Sequence, residues 1–423
     1  MGLRRRSTLG AVLLLALGIP GCRSRVLKPA PPAPAQLRLL AVGDILMHGD
    51  VKAAAAQDPG GFQALWADLV PLFQGADLAF ANLETPVAPS SGRPGVPFQF
   101  NAPADLPSAL RAIGFTVLST ANNHAFDQGR GGLRETLDRL RAEGLVALGS
   151  GEDRAMAESV RILERQGFRV AFLGFTDLFN LDLNRKATEP WVRFLDLEPA
   201  LLAVREARSQ ADLVVVSLHW GNEYQHLPTK RQRYIAHALV QAGADVILGH
   251  HPHVLQPIEI QEVAGRKALV AYSLGNFISN QDRMYRADLF PVASGDNRDG
   301  AALTLRFERR PGADGRERAE LAEVNAEPLW TENNWGSAAP RREIRVIRVA
   351  AAEARVRGEL ERLSDAVEGP KNQPDEGLRR KTILEKQEYL RTLILRRKRV
   401  AEVVGEAFVS PGPAPSDVRA ARR

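Results

Sequence analysis

One cysteine, Cys22, is all that this chain of 423 residues contains. With no second thiol, no internal disulfide can form. The chain also lacks internal repeats and a concentrated basic stripe. Its formal charge is only +6, and the basic excess sits in arginine-rich segments near the ends. That reads as a solvated basic surface and argues against nucleic acid as a partner. The apolar run Leu9 to Ile19 is too short for a comfortable membrane span. What remains is ordinary for a soluble globular protein, with 44% hydrophobic and 25% charged residues. The length allows one large domain with additions, or two domains.

The single cysteine is placed informatively. Met1 to Cys22 reads "MGLRRRSTLGAVLLLALGIPGC". Arg4, Arg5 and Arg6 form a positive start, an apolar stretch follows, and Gly21 precedes Cys22. This resembles a bacterial lipoprotein signal over residues 1–22, which implies a lipidated Cys22 and an exported, membrane-anchored chain in the cell envelope. An uncleaved anchor or a plain secretory signal would export the chain as well. Residues 23–36, "RSRVLKPAPPAPAQ", have the composition of an extended tether.

A folded domain is expected over 37–350. Short apolar runs alternate with amphipathic helical patterns. The runs are Leu37 to Val42, Asp77 to Ala81, Phe115 to Ser119, Phe168 to Phe175, Leu213 to Leu218, Val246 to Leu248 and Ala268 to Tyr272. Leu133, Leu137 and Leu140 mark one helix, closed by Gly144. Lys230 to Ala242 is another, with Ile235, Ala238, Leu239 and Ala242 on one face. This pattern predicts an α/β layered fold with buried sheets. Ala301 to Phe307 and Ile344 to Val349 read as further strands. A basic helical extension is expected over 351–405, able to pack on the domain, meet anionic lipid or bind a partner. The tail 406–423 reads as disordered.

Polar residues collect where the apolar runs end. Asp44 comes first, then Asn82 and Glu84, then Asn122, Asn123, His124 and Asp127. His219 and Glu223 follow, then His250, His251 and His253, then Asn276. Of the eight histidines, all but His226 and His237 lie in or beside these loops. Scattered histidines would not sort this way. Carboxylate, amide and imidazole together suit Mn²⁺, Zn²⁺ or Fe. Pro252 biases His251 to an extended conformation, which would aim His251 and His253 the same way.

The blocks "ANLETPV", "ANNHAFDQG", "SLHWGNEY", "GHHPHVLQPIE" and "YSLGNFI" resemble the CapA family, bacterial capsule-synthesis proteins linked to poly-gamma-glutamate. That family is similar to the calcineurin-like metallophosphoesterases. The resemblance covers about Leu37 to Asn280, less clearly to Val349. It implies a four-layer α/β/β/α sandwich and a divalent metal site, with two ions. By that resemblance Asp44, Glu84, Asn123, His219, His251 and His253 are metal ligands. His124 is the general acid or the stabiliser of transition-state charge, and Asp127 orients it. Asn82, Glu223 and Asn276 are candidate substrate contacts; Trp220 and Tyr224 could join them or simply pack. His250 reads as a supporting or structural residue.

Two positions depart from the phosphoesterase pattern. Leu46 stands where Asp-x-His would put a histidine, and Asn82-x-Glu84 replaces the usual second motif. His48 is nearby at the wrong spacing. Three functions follow. One is an exported metal-dependent hydrolase acting on poly-gamma-glutamate or another anionic envelope polymer. Another is a non-catalytic metal- and polymer-binding scaffold of a membrane synthase complex. The third is a general exported phosphoesterase acting on a phosphate ester.

Overall fold

The computed structural model describes residues 35–311, 315, 317–334, 342–365 and 376–410. The expected signal, most of the tether and most of the tail lie outside the described residues. Two sheets form the centre. The first runs, in spatial order, Ile344–Arg348, Glu317–Asn333, Asp299–Pro311, Gln36–Ile45, Leu78–Leu83, Val117–Ser119 and Val146–Leu148. The short strand Asn276–Ile278 pairs with the end of Gln36–Ile45. The second runs Ile258–Val263, Arg266–Ala271, Val246–His250, Leu213–His219, Phe168–Thr176 and Arg161–Arg165.

Alternation along each strand builds the layers. Leu39 and Ala41 enter a core shared with Val215, Val246 and Leu248 of the second sheet. Leu40 and Val42 turn the other way, onto a core with Val51, Phe62, Leu106 and Leu110 from the helices that cover the first sheet. On the second sheet Val214, Val216 and Ile247 meet Val204, Ile235 and Leu239 of its own covering helices. Helix, sheet, sheet, helix is the four-layer order expected.

The helix Lys230–Ala242 shows why its ends were readable. Thr229 and Gln232 form a reciprocal capping box, and Gly243, at φ +126°, closes the other end. Its buried face differs slightly from expectation. Ala236 and Val240 are buried beside Ile235 and Leu239, while Ala238 and Ala242 are only half-buried.

The last two helices, Val349–Asp365 and Glu376–Val404, pack into the molecule. Val400 and Val404 reach the core between the sheets. In the basic run, Arg396 and Arg399 pair with Asp296, and Arg397 pairs with Glu353. Of the three roles open to that run, packing on the domain is the one seen.

Candidate functional site

Parallel pairing brings the polar strand ends to one edge of the sandwich. Asp44 lies opposite Asn82 and Asn276, and Asn82 opposite Ser119. In the other sheet His219 lies opposite His250. Two glycines let backbones close in. A Cβ on Gly43 would sit 2.0 Å from the Gly275 carbonyl oxygen, and one on Gly249 would sit 1.9 Å from that of Tyr272.

Asp44, Asn82, Glu84 and His219 are all buried. The Asn82 amide donates to Asp44 Oδ1 (2.9 Å) and Glu84 Oε2 (3.1 Å), and lies 3.3 Å from His219 Nδ1. Its oxygen accepts from Asn122 (3.2 Å), which also holds the Leu83 carbonyl. Asn82 is fully buried, and its amide ties the ligand candidates together. Asn276 is similar. Its amide donates to the His253 and Asn297 carbonyls and to Gln281, while its oxygen accepts from His253 Nδ1 at 3.1 Å. That contact leaves His253 Nε2 as the free ligand atom, 3.6 Å from Glu84 Oε1.

The turn carrying His251 and His253 is not extended. Their φ angles are +95° and +56°. The strand ends at His250, and the chain must then fold back over the strand ends. Asp44 Oδ2 accepts the His251 N–H (3.2 Å), and the Pro252 carbonyl accepts the Tyr224 N–H (2.8 Å), which pins the turn. Left-handed geometry at non-glycine residues costs about 1–3 kcal/mol each and persists where surrounding structure enforces it. The two rings still meet, with centroids 5.9 Å apart.

Three groups place ligand atoms within 4.8 Å of one another: Asp44, Glu84 and His253; Glu84, His219 and His251; Glu223, His251 and His253. Asn123 joins through its oxygen, 2.8 Å from His219 Nε2. Glu84 Oε1, His250 Nε2 and His251 Nδ1 are buried with no hydrogen-bond partner among the described residues. Burial, then the charges of Asp44, Glu223 and Asp127, push the Glu84 carboxyl well above its usual range. Burial works the same way on Asp44, but bonds from His250 and His253 overcome it and hold Asp44 well below. Burial also lowers His219 strongly and brings His251 to about 4, so both imidazoles are neutral near pH 7. Neutral imidazoles, carboxylates and orphaned buried atoms fit a divalent cation.

His124 stands beside this cluster, its Nδ1 bonded to Asp127 Oδ2 at 2.8 Å. Asp127 Oδ2 also accepts the Phe100 N–H at 2.6 Å, and the Phe100 ring packs 4.5 Å from that of His124. His48 also packs against Phe100, ring centroids 5.0 Å apart, with Nδ1 accepting the Asn280 N–H. It belongs to none of the three ligand groups. His250 bonds Asp44 Oδ1 (2.9 Å), a supporting place. Trp220 is a core residue whose indole N–H reaches the Tyr272 carbonyl. His226 bonds Asp296 and the Leu255 carbonyl, apart from the ligand groups.

Two residues at the site were missed in the sequence. Asn180 accepts from the Asn123 amide (3.2 Å) and sets its own amide 3.4 Å from the His124 ring nitrogens. It follows the strand Phe168–Thr176, so the strand-end rule applied to that strand would have found it. Phe100 carries no such signal.

The comparisons agree with this geometry in extent. The profile of the bacterial capsule synthesis protein PGA_cap family matches residues 38–281, a stretch holding every candidate ligand. The PGA biosynthesis protein CapA of Bacillus subtilis (strain 168) is 36% identical over 243 residues, 57% of this chain and 62% of that protein. The capsule biosynthesis protein CapA of Bacillus anthracis is 33% identical over 254 residues, 58% of this chain and 60% of that protein. The matched stretch thus spans about three fifths of each relative. Among solved structures, a 5'-nucleotidase precursor from Thermus thermophilus aligns with a TM-score of 0.40 and 17% identity, over 70% of this chain and 54% of that one. Since the family profile covers more than half of the chain, and the gathered strand ends with it, the chain belongs to the bacterial capsule synthesis protein PGA_cap family.

Proposed function

We propose that this chain is a metal-dependent hydrolase-type protein of poly-gamma-glutamate biosynthesis or processing, exported and anchored at the membrane through a lipidated Cys22. The observation that carries the reading is the meeting of Asp44, Glu84, His219, His251 and His253 from two sheets, with Glu84 Oε1 and His251 Nδ1 buried and without a hydrogen-bond partner among the described residues. Asp44, Glu84, Asn123, His219, His251 and His253 would hold divalent cations, Mn, Zn or Fe, with two ions expected; Glu84 belongs to two of the ligand groups. A bound ion would polarise a phosphoryl or acyl oxygen and lower the pKa of a water.

The chain's own residues do the rest. Asp127 fixes the tautomer and orientation of His124, and Phe100 holds Asp127 in place. His124 Nε2 then serves the reacting group as proton donor. Asn276 and Asn82 keep His253, Asp44 and Glu84 aimed inward. The substrate would be an anionic polymer such as poly-gamma-glutamate, cleaved or transferred at an amide, or a phosphate ester. A second reading, a metal- and polymer-binding scaffold within a membrane synthase complex, is favoured by Leu46, a buried apolar side chain where a histidine ligand is expected.

His124→Ala separates the two. A catalytic site loses turnover on phosphate esters or gamma-glutamyl amides by about 10²–10⁴-fold while keeping its metal. Unchanged polymer output in cells carrying the variant would favour the scaffold, and loss of metal would refute the role given to His124. Cys22→Ser should move the protein from the membrane to the soluble fraction. Retention would reject the lipid anchor.

A further inference from the structure

The loop after His219 contributes a carboxylate that lies over the two histidines of the following turn. Glu223 groups with His251 and His253, its oxygen and their ring nitrogens all within 4.8 Å of one another. Glu84 also groups with these histidines, with His253 in one set and His251 in another. Glu84 is fully buried and Glu223 is exposed. The two carboxylates therefore approach one histidine pair from the interior and from solvent.

This placement is built. The Trp220 N–H donates to the His250 carbonyl (3.1 Å), and the Tyr224 N–H donates to the Pro252 carbonyl (2.8 Å). These bonds tie the loop to the turn on both sides of Glu223. Gly221, at φ +88°, and Tyr224, at φ +61°, allow the reversal between them. Burial, helped by the nearby charge of Glu223, pushes the Tyr224 hydroxyl up to about 12, so the two side chains are neighbours. His251 is 6% exposed, and its Nδ1 has no hydrogen-bond partner among the described residues. A buried, unpartnered imidazole nitrogen beside a tethered carboxylate points to a cation between them.

We propose that Glu223 is a metal ligand, closing the site on its solvent side opposite Glu84. This rests on the metal reading above and adds to it an exposed residue. Its role as a plain substrate wall is the alternative that the experiment excludes.

The test is calorimetric titration of Mn²⁺, then Zn²⁺, into the full chain purified in detergent and stripped with chelator. The parent, Glu223→Gln and Glu223→Asp are compared, with circular dichroism as the fold control. We expect Glu223→Gln to lose one equivalent, or to bind it at least about 10-fold more weakly, the lower end of what losing even a supporting contact costs at metal sites. Glu223→Asp should recover part of that loss. A parent that binds metal and a Glu223→Gln that binds it with the same stoichiometry and affinity would overturn the assignment while leaving the metal reading intact. A raised KM with unchanged metal binding would do the same and make Glu223 a substrate contact. No uptake by the parent would overturn the metal reading, and this inference with it.

Discussion

His251 sets a stability switch in the metal-free chain. Burial, reinforced by the charge of His253, brings its folded pKa to about 4, against 6.5 unfolded. Between those values the unfolded chain takes up a proton that the folded chain refuses. The contribution is therefore fully present above about pH 6.5 and is lost as pH falls to about 4, roughly 3 kcal/mol in all. Other groups titrate across the same range. His219, lowered by burial, acts in the same direction, while Glu84, raised by burial, acts in the opposite one. The informative comparison is with His251→Gln, which keeps both. Urea unfolding with chelator present should show the parent losing about 3 kcal/mol relative to His251→Gln between pH 7 and pH 4. A gap independent of pH would mean that His251 takes up its proton as readily in the fold as in the unfolded chain.

The helix Glu376–Val404 depends on a residue type that hides itself. Arg396 is fully buried. Its Nε reaches Asp299 Oδ1 at 3.1 Å, Nη2 reaches Asp296 Oδ1 at 2.7 Å, and Nη1 reaches the Val292 carbonyl at 2.6 Å. The segment it grips also carries Asn297, whose carbonyl accepts from Asn276, the residue behind His253. Arg396→Met strands Asp299, while Asp296 keeps Arg399 and His226, and should cost about 3–5 kcal/mol in chemical denaturation. Adding Asp299→Asn should return part of the loss, and no change in either variant would show that the buried pair carries no weight. In the sequence this helix is visible through Leu390, Leu393 and Ile394, but a buried arginine reads as exposed, because charge is seldom buried unless paired from afar. The strand Glu317–Asn333 was invisible for a related reason. "ERAELAEVN" is rich in helix formers, and its long antiparallel pairing with Asp299–Pro311 overrides that preference. Lys230–Ala242 was legible because Thr229, Gln232 and Gly243 write its ends locally. At the site, the ligand candidates were legible because parallel strands end together. The left-handed turn at His251 and His253, with Phe100, depends on contacts between distant segments and was not.

At the scale of the whole molecule, the ligand candidates are divided between the sheets. Asp44 lies at the end of a strand of the first sheet, and Glu84 and Asn123 follow two others; His219 ends a strand of the second, and His251 and His253 follow another. Unfolding separates the two sets, so a cation that binds them together binds the folded state alone, apart from weak capture by loose histidines. Such a ligand stabilises by about 2.7 kcal/mol at a hundred times its dissociation constant. Thermal unfolding of the full chain should shift upward with Mn²⁺ or Zn²⁺ and return with chelator. His251→Ala with His253→Ala removes a ligand from each of the groups sharing Glu84, and should abolish the shift. The same double variant does not relieve the left-handed strain, since alanine tolerates that region no better than histidine, so its metal-free baseline should stay close to the parent's or fall. An equal metal-induced shift in parent and double variant would place the cation elsewhere. No shift in the parent would mean that the two sheets meet at this edge without an ion to join them.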